Sequence, residues 1–121
     1  MLKDFYTIIA LNQTEEGKYN CNILLNEKHL IFKGHFPDNP ITPGVCMLQI
    51  IKNLTEEITQ KKLFLSKTSN VKFMALINPE INPKLNLTLD ITDNEENIVV
   101  KNTTSFDDTI ALKLTNTYKI C

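Results

Sequence analysis

One histidine of this sequence stands in a setting suited to proton transfer. His35 follows Gly34 and precedes a loop that carries Pro37, Pro40 and Pro43. Each proline fixes its own φ angle and lacks a backbone N–H, so this loop cannot form a regular helix. A neutral imidazole accepts a proton near pH 7, and a stiff loop can hold it in one orientation. His35 is therefore a candidate general base, although a histidine that only satisfies a hydrogen bond in a rigid loop would fit the same pattern.

The segment after this loop has the periodicity of a long helix. Apolar residues recur at helical spacing from residue 44 to about residue 61, while polar residues gather on another side. The apolar positions are Met47, Ile50, Ile51, Leu54 and Ile58, and the polar positions are Gln49, Asn53, Glu56 and Gln60. Because Val45, Cys46 and Leu48 widen the apolar surface over the first two turns, the pattern predicts a buried central helix covered on both sides.

The predicted helix begins at Gly44 and Val45, directly after Pro43. The first N–H groups of a helix have no intrahelical partner, and they lie at the positive end of the helix dipole. Such groups can stabilise an oxyanion, and glycine lets a ligand approach closely. A tight entry into the helix is a plainer explanation for Gly44, and both roles can hold together.

The elements around this helix have the patterns of strands. Residues 5–11 and 18–25 alternate on either side of a polar turn at 13–17, and strand-like segments follow the helix near 63–77, 84–92, 97–106 and 109–120. We therefore expect a single α+β domain, residues 1–121, in which an antiparallel sheet wraps around one long central helix.

The segment Gly34–Val45, GHFPDNPITPGV, resembles the signature G-H-F-P-x-x-P-x-x-P-G-V of the 3-hydroxyacyl-ACP dehydratases, the FabZ/FabA-like family of the hotdog fold. The segment 70–79, NVKFMALINP, is similar to the strand K-x-F-x-x-x-V-x-P that follows the helix in that family, although the turn after Pro79 differs. Together with the strand spacing, the resemblance covers most of the chain.

The resemblance implies an activity and an assembly. It implies dehydration of 3-hydroxyacyl thioesters to trans-2-enoyl thioesters in fatty-acid or polyketide-like synthesis, on chains carried by acyl carrier protein or coenzyme A, without a metal or cofactor. The family's catalytic histidine falls on His35, and Phe36, Pro43, Gly44 and Val45 fall on its substrate-binding loop and helix start. It also implies a dimer in which a histidine of one chain meets the helix residue of the other.

The sequence departs from the family at Gln49, where the family places Glu or Asp fourteen positions beyond the histidine. Glutamine can hydrogen-bond a hydroxyl or a water, but its amide cannot deliver a proton to a departing hydroxide. Three outcomes stay open: a weak or specialised dehydratase that runs on His35, recruitment of another carboxylate such as Asp38 or Glu56, or an acyl-binding hotdog protein without catalysis. Gln49 can also be no more than part of the polar stripe of the helix.

Two further function classes are weighed against dehydration. The hotdog fold also hosts thioesterases. Thioesterases of this fold usually rely on a catalytic carboxylate, and the histidine loop of this sequence argues against that class. A non-catalytic acyl-binding protein or partner subunit is the other class, and Gln49 favours it. Cys46 near the helix start is a conceivable nucleophile without a visible base, so apolar packing is the expected role. For His29, which lies outside the motif, we expect a surface or locally bonded side chain.

Composition excludes other partners. The 121 residues carry a net charge of −1 and include no arginine, so a broad basic field for nucleic acid or for an anionic membrane is not expected. No apolar run approaches the roughly 20 residues that span a bilayer, and the N-terminus reads as a strand, not as a signal peptide. The odd set of three cysteines, Cys21, Cys46 and Cys121, fits reduced thiols in a cytoplasmic protein.

Overall fold

The computed structural model describes residues 4–34 and 41–121. These residues form six strands: β1 (Tyr6–Glu15), β2 (Lys18–Leu25), β3 (Leu63–Phe73), β4 (Lys84–Asp93), β5 (Asn97–Phe106) and β6 (Thr109–Ile120). They also form a short helix, α1 (Leu30–Gly34), and a long helix, α2 (Gly44–Thr59). The strands make one antiparallel sheet in the order β1-β2-β4-β5-β6-β3, so β1 and β3 are its edges. The α+β class and the antiparallel sheet confirm the prediction.

The sheet and α2 bury a common apolar core. Every second residue of the central strands faces inward, because successive side chains of a strand point to opposite faces. The inward residues belong to one buried cluster with the apolar side of α2, including Leu85, Leu87, Leu89, Ile98, Val100, Met47, Ile50, Ile51 and Leu54. Burying one such side chain fully contributes roughly 1.5–3 kcal/mol, so this cluster fixes α2 on the sheet.

The strand bounds differ from the prediction at two places. The first strand extends through Glu15, which pairs with Lys18, so the predicted polar turn shrinks to Glu16 and Gly17. Gly17 has φ +77°, and a Cβ atom there would lie 2.8 Å from the carbonyl oxygen of Ile91, so this turn requires glycine. The third strand ends at Phe73 and not at residue 77.

Two further expectations from the sequence were incomplete or wrong. The short helix α1 was not predicted, because five residues are too few to show a helical period. The prediction that α2 is covered on both sides is wrong for the single chain, since the side chain of Val45 is 73% exposed. The first turn of α2 therefore keeps one apolar side that the chain does not cover.

Candidate functional site

A cleft of about 530 Å³ opens at the start of α2. Residues 41–45 and Met47 form one wall, and residues 73–77 form the other. The two walls are joined where the N–H of Thr42 donates to the carbonyl oxygen of Ile77 at 2.8 Å. Most of the lining side chains are apolar, which suits the hydrocarbon part of a ligand.

The backbone at the start of α2 faces this cleft without a side-chain cap. Pro43 occupies the N-cap position, and its carbonyl oxygen accepts the N–H groups of Cys46 at 3.0 Å and Met47 at 3.3 Å. Within the part of the chain that the structure describes, no acceptor lies at the N–H groups of Gly44 and Val45. The first turn also lacks acidic residues, so these two donors and the helix dipole can act on an anionic or strongly polar oxygen.

Gly44 also allows a close contact between the two walls. A Cβ atom at this position would lie 3.1 Å from Cζ of the Phe73 ring, which is tighter than normal van der Waals contact. The Phe73 side chain is itself 66% exposed, so the ring lies over the helix start without being locked in the core. A ligand that reaches Gly44 from this side has to share the space with the ring.

Thr42 adds a polar atom to the cleft that the sequence analysis missed. Its side chain is buried, and its Oγ1 has no hydrogen-bond partner among the described residues. A buried hydroxyl without a partner is uncommon in native structures. The hydroxyl thus lies two residues before Gly44, in the same wall of the cleft.

Gln49 lies one helical turn beyond Val45 and is half-buried. It does not belong to the cleft lining, but residues at i and i+4 share a helix face, so it continues the side of α2 that begins at Val45. Its Nε2 donates to Oδ1 of Asn53 at 2.8 Å. The amide is therefore oriented by the next turn of the same helix.

The other candidates from the sequence have structural roles. The Glu56 carboxylate accepts the backbone N–H of Leu63 at 2.8 Å, at the end of α2 away from the cleft. Cys46 is buried, and burial raises the pKa of its thiol, which agrees with a packing role. His29 is locally bonded as expected: its Nδ1 accepts the N–H of Ile31 at 3.1 Å, and its ring lies edge-on to Phe5.

The structure brings together part of the predicted site. Pro43, Gly44 and Val45 line the cleft, while His35 and Phe36 lie outside the described residues, as does Asp38. The sequence did not identify the opposite wall, because the predicted strand continued to residue 77, whereas β3 ends at Phe73 and residues 74–77 follow it outside the strand. The N–H groups of Met74 and Ala75 both donate to the carbonyl oxygen of Ala111, which holds this wall in place. The similarity of residues 70–79 to the family strand was the signal that could have identified it.

Comparison with known proteins places this architecture in a family. The model of the ApeI-like family, described as ApeI dehydratase, matches residues 11–112. The chain belongs to the ApeI-like dehydratase family. Among individual proteins, it is similar to the 3-hydroxyacyl-[acyl-carrier-protein] dehydratase FabZ of Lactobacillus helveticus, with 30% identity over 87 residues. That match covers 66% of this chain and 57% of the relative, so the chain matches little more than half of that protein's length.

Solved structures share the fold across different reported activities. The dehydratase heterocomplex ApeI:P from Xenorhabdus doucetiae superposes with a TM-score of 0.72 at 21% identity, covering 95% of this chain and 96% of the other. A mutant thioesterase from Pseudomonas aeruginosa superposes with a TM-score of 0.65 at 10% identity, covering 93% and 80%. At these identities the superpositions confirm the hotdog fold and leave the reaction open.

The described residues contain neither a membrane-spanning helix nor a cluster of metal ligands. Across residues 4–34 and 41–121, no helix is both long enough and apolar enough to cross a membrane. Over the same ranges, no group of three His, Cys, Asp or Glu side chains is placed to hold a metal ion.

Proposed function

We propose that this chain acts on 3-hydroxyacyl thioesters as a dehydratase-like hotdog protein, with His35 as the base and Gln49 in place of the usual carboxylate. The observation that carries the proposal is the start of α2, where two N–H groups without an acceptor among the described residues meet an apolar cleft. Membership of the ApeI-like family and the likeness to FabZ support the same reaction class. The carrier in the proposal is acyl carrier protein, with coenzyme A as the alternative, and the location is the cytoplasm.

Dehydration assigns a task to each part of this site. The imidazole of His35 removes the proton from the carbon next to the thioester carbonyl. Negative charge then develops on the carbonyl oxygen, where the N–H groups of Gly44 and Val45 can stabilise it. Collapse of this charge forms the carbon–carbon double bond and expels the 3-hydroxyl, which leaves as water once it receives a proton. The products are the trans-2-enoyl thioester and one water molecule.

Protonation of the departing 3-hydroxyl is the step for which this chain has the least suitable side chain. A positioned general acid accelerates such a step roughly 10²–10⁴-fold, and the amide of Gln49 cannot act as one. Glu56 is engaged with Leu63 at the other end of α2, which makes it a poor replacement. The proposal therefore includes return of the proton by His35 itself and a slow reaction.

A second candidate function is an acyl-binding or partner subunit. Gln49 favours it, and the ApeI:P structure is described as a heterocomplex, so an assembly with a different hotdog chain is a reasonable alternative to a homodimer. In either assembly, the partner would cover the exposed apolar side of α2 at Val45 and the edge strand β3, where Phe64 is 62% exposed. A thioesterase is the remaining alternative, supported by the shared fold alone.

The experiment that tests the proposal follows two products at once. Purified protein is mixed with 3-hydroxyacyl thioesters of several chain lengths, on acyl carrier protein and on coenzyme A. Enoyl absorbance and free thiol are recorded together, while light scattering gives the mass of the assembly. We expect reversible enoyl formation without thiol release, a loss of at least about 100-fold in His35→Ala, and a gain of about 10-fold or more in Gln49→Glu.

The second histidine provides the matched control. His29→Ala removes an imidazole of local structural role, so it should leave enoyl formation within about twofold of wild type when compared at equal folded fraction. Thiol release in place of enoyl formation would establish a thioesterase. Absence of both products with all carriers, together with saturable acyl binding, would replace the catalytic proposal by the acyl-binding one.

A further inference from the structure

The outer side of the sheet carries a basic face that begins on β5 and β6. In these two strands, alternate residues are buried in the core, so the residues between them point away from α2. On this outer side, β6 presents Lys113 and Lys119. The neighbouring strand adds Lys101, which pairs with Thr115 of β6. Three exposed lysines therefore lie on the outer side of this strand pair.

The edge strand β3 extends the same face. Lys72 lies directly opposite Lys113, and Lys67 lies opposite Thr117. Side chains that are directly opposite in antiparallel strands lie on the same side of the sheet, so these two lysines also point outward. We define the lysine face as the five exposed side chains Lys67, Lys72, Lys101, Lys113 and Lys119.

The charge of the lysine face is not neutralised within the chain. The strands β3, β5 and β6 contain no Asp or Glu, whereas the rest of the sequence holds eight lysines and all fourteen acidic residues, a formal charge of −6. Among the described residues, the ion pairs involve Lys18 and Lys61, and none includes a lysine of the face. The net charge of −1 therefore conceals a local basic field on one side of the sheet.

The dimensions of the lysine face suit a single helix. Neighbouring strands lie about 4.8 Å apart, so the distance from β5 across β6 to β3 is about 10 Å. Along β6, Lys113 and Lys119 are separated by about 20 Å of extended chain. An α-helix of about 14 residues is about 21 Å long and roughly 10 Å wide. Carboxylates at every third or fourth position share one side of such a helix, so they can meet several of the lysines together.

We propose that the lysine face docks an acidic helix of a partner protein. Like charges directly opposite each other in a sheet are destabilising, and carboxylates of the partner would relieve the repulsion between Lys72 and Lys113. The proposal goes beyond the proposed function, since none of the five lysines lines the cleft.

The charge pattern favours a helix over larger polyanions. The chain has no arginine, which is the side chain suited to bidentate binding of phosphate groups. An extended polyanion, such as a nucleic-acid duplex or an anionic membrane, would also approach the rest of the chain, whose formal charge is −6. A single acidic helix contacts the lysine face without this repulsion.

Two synthetic helical peptides test the proposal. Both have about 16 residues, and one carries a row of glutamates where the other carries glutamines. Each peptide is titrated into ¹⁵N-labelled protein at low salt, and the amide shifts locate the binding. The glutamate peptide should bind roughly tenfold or more tightly than the glutamine peptide, with shifts in β3, β5 and β6. Shifts confined to the cleft, or equal binding of the two peptides, would overturn the proposal.

Two triple variants of equal net charge separate the lysine face from general attraction. The face variant combines Lys67→Gln, Lys101→Gln and Lys113→Gln, and it should bind the glutamate peptide roughly tenfold or more weakly than wild type.

The control variant changes three exposed lysines outside the face, and it should stay within about twofold of wild type. It combines Lys28→Gln, Lys62→Gln and Lys84→Gln. Equal weakening in both variants would mean that net charge, and not the face, attracts the peptide.

Further measurements keep the outcomes distinct. The unfolding midpoint of the face variant should equal or exceed that of wild type, because the repulsion between Lys72 and Lys113 is removed. Vesicles that contain phosphatidylserine and a DNA duplex are titrated in parallel, and tighter binding of either one, lost in the face variant, would replace the helix as the occupant. Enoyl formation from pantetheine thioesters, which carry no phosphate, should stay within about twofold of wild type in the face variant. Failure of the proposed function would leave the peptide titrations fully decisive.

Discussion

The two ends of α2 differ in how their backbone and side-chain groups are satisfied. At the C-terminal end, the N–H of Gln60 donates to the carbonyl oxygen of Glu56 at 2.8 Å, and the Glu56 carboxylate accepts the N–H of Leu63. At the N-terminal end, no side chain caps the helix, and the N–H groups of Gly44 and Val45 have no acceptor within the described residues. A helix start leaves its first N–H groups without intrahelical partners, so beside an apolar cleft these donors are available to a ligand.

The largest effect is expected at the open end, from Gly44→Val. A side chain at this position has to displace the Phe73 ring, since even a Cβ atom would lie 3.1 Å from it, and the displaced ring would fill the cleft. We expect kcat/KM for enoyl formation to fall roughly 100-fold, because the displaced ring keeps the ligand from the N–H groups of the helix start and loss of one such interaction has an effect of this size. The midpoint of unfolding should change little, because glycine is itself a poor helix residue. Steady-state kinetics and thermal unfolding measure the two effects.

The matched control is a substitution at the C-terminal end of the same helix. Thr59→Val removes the hydrogen bond from the Thr59 hydroxyl to the carbonyl oxygen of Thr55, so any effect should be a small one on stability. Kinetics at wild-type level in Gly44→Val would mean that the helix start is not the reaction site. A loss of activity in Thr59→Val would mean that the two ends are not independent.

The strand bounds were predicted best from the sequence where the strands have one buried face. The bounds of β5 and β6 were confirmed at 97–106 and 109–120, because alternating apolar residues and polar turns mark strands that have one buried face. The end of β1 was missed since Gln13 and Glu15 pair through their backbones with Tyr19 and Lys18, whatever their side chains. The end of β3 was missed because the apolar pattern continues where the chain leaves the sheet.

The site was predictable only where a local motif marks it. The segment Pro43–Val45 forms the start of an evident helix, and N–H groups without intrahelical partners at Gly44 and Val45 follow from the helix alone. Thr42 gave no such signal, because the burial of its hydroxyl depends on neighbours from distant parts of the chain. The role of Gln49 itself stays a prediction.

A second effect, a loss of stability at high pH, is expected from Tyr118, whose phenol is buried in the core. Burial raises the pKa of Tyr118 to about 12, the hydrogen bond from Asn116 offsets part of the rise, and the charge of Glu56 adds to it. The folded protein thus binds this proton more tightly than the unfolded chain, whose tyrosine titrates near 10. The resulting stability is complete below pH 10 and is lost between about pH 10 and pH 12, by roughly 2–3 kcal/mol.

Urea unfolding at several pH values from 8 to 12 measures this loss. Burial raises the pKa of Cys21 to about 11, so this thiol adds a loss of stability between about pH 9 and pH 11, which overlaps that of Tyr118, and the wild-type curve contains both groups. The variant Tyr118→Phe separates the contribution of the phenol from that of the thiol. The variant should be less stable than wild type at pH 8, since Asn116 loses a partner, but its free energy of unfolding should fall less steeply above pH 10. Parallel curves for the two proteins would show that the phenol is not sealed from water.

The smallest effect is expected from Glu56→Ala at the C-terminal end. The N–H of Leu63 would lose a charged acceptor at 2.8 Å, which should lower the free energy of unfolding by about 1–2 kcal/mol. Glu57→Ala, at the exposed neighbouring position, should change it by less than about 0.5 kcal/mol, and Glu56→Gln should recover part of the loss through its amide oxygen. Enoyl formation by Glu56→Ala, compared at equal folded fraction, should match that of wild type. A fall of 100-fold would instead make Glu56 the proton donor that Gln49 cannot be, and it would place chemistry at both ends of α2.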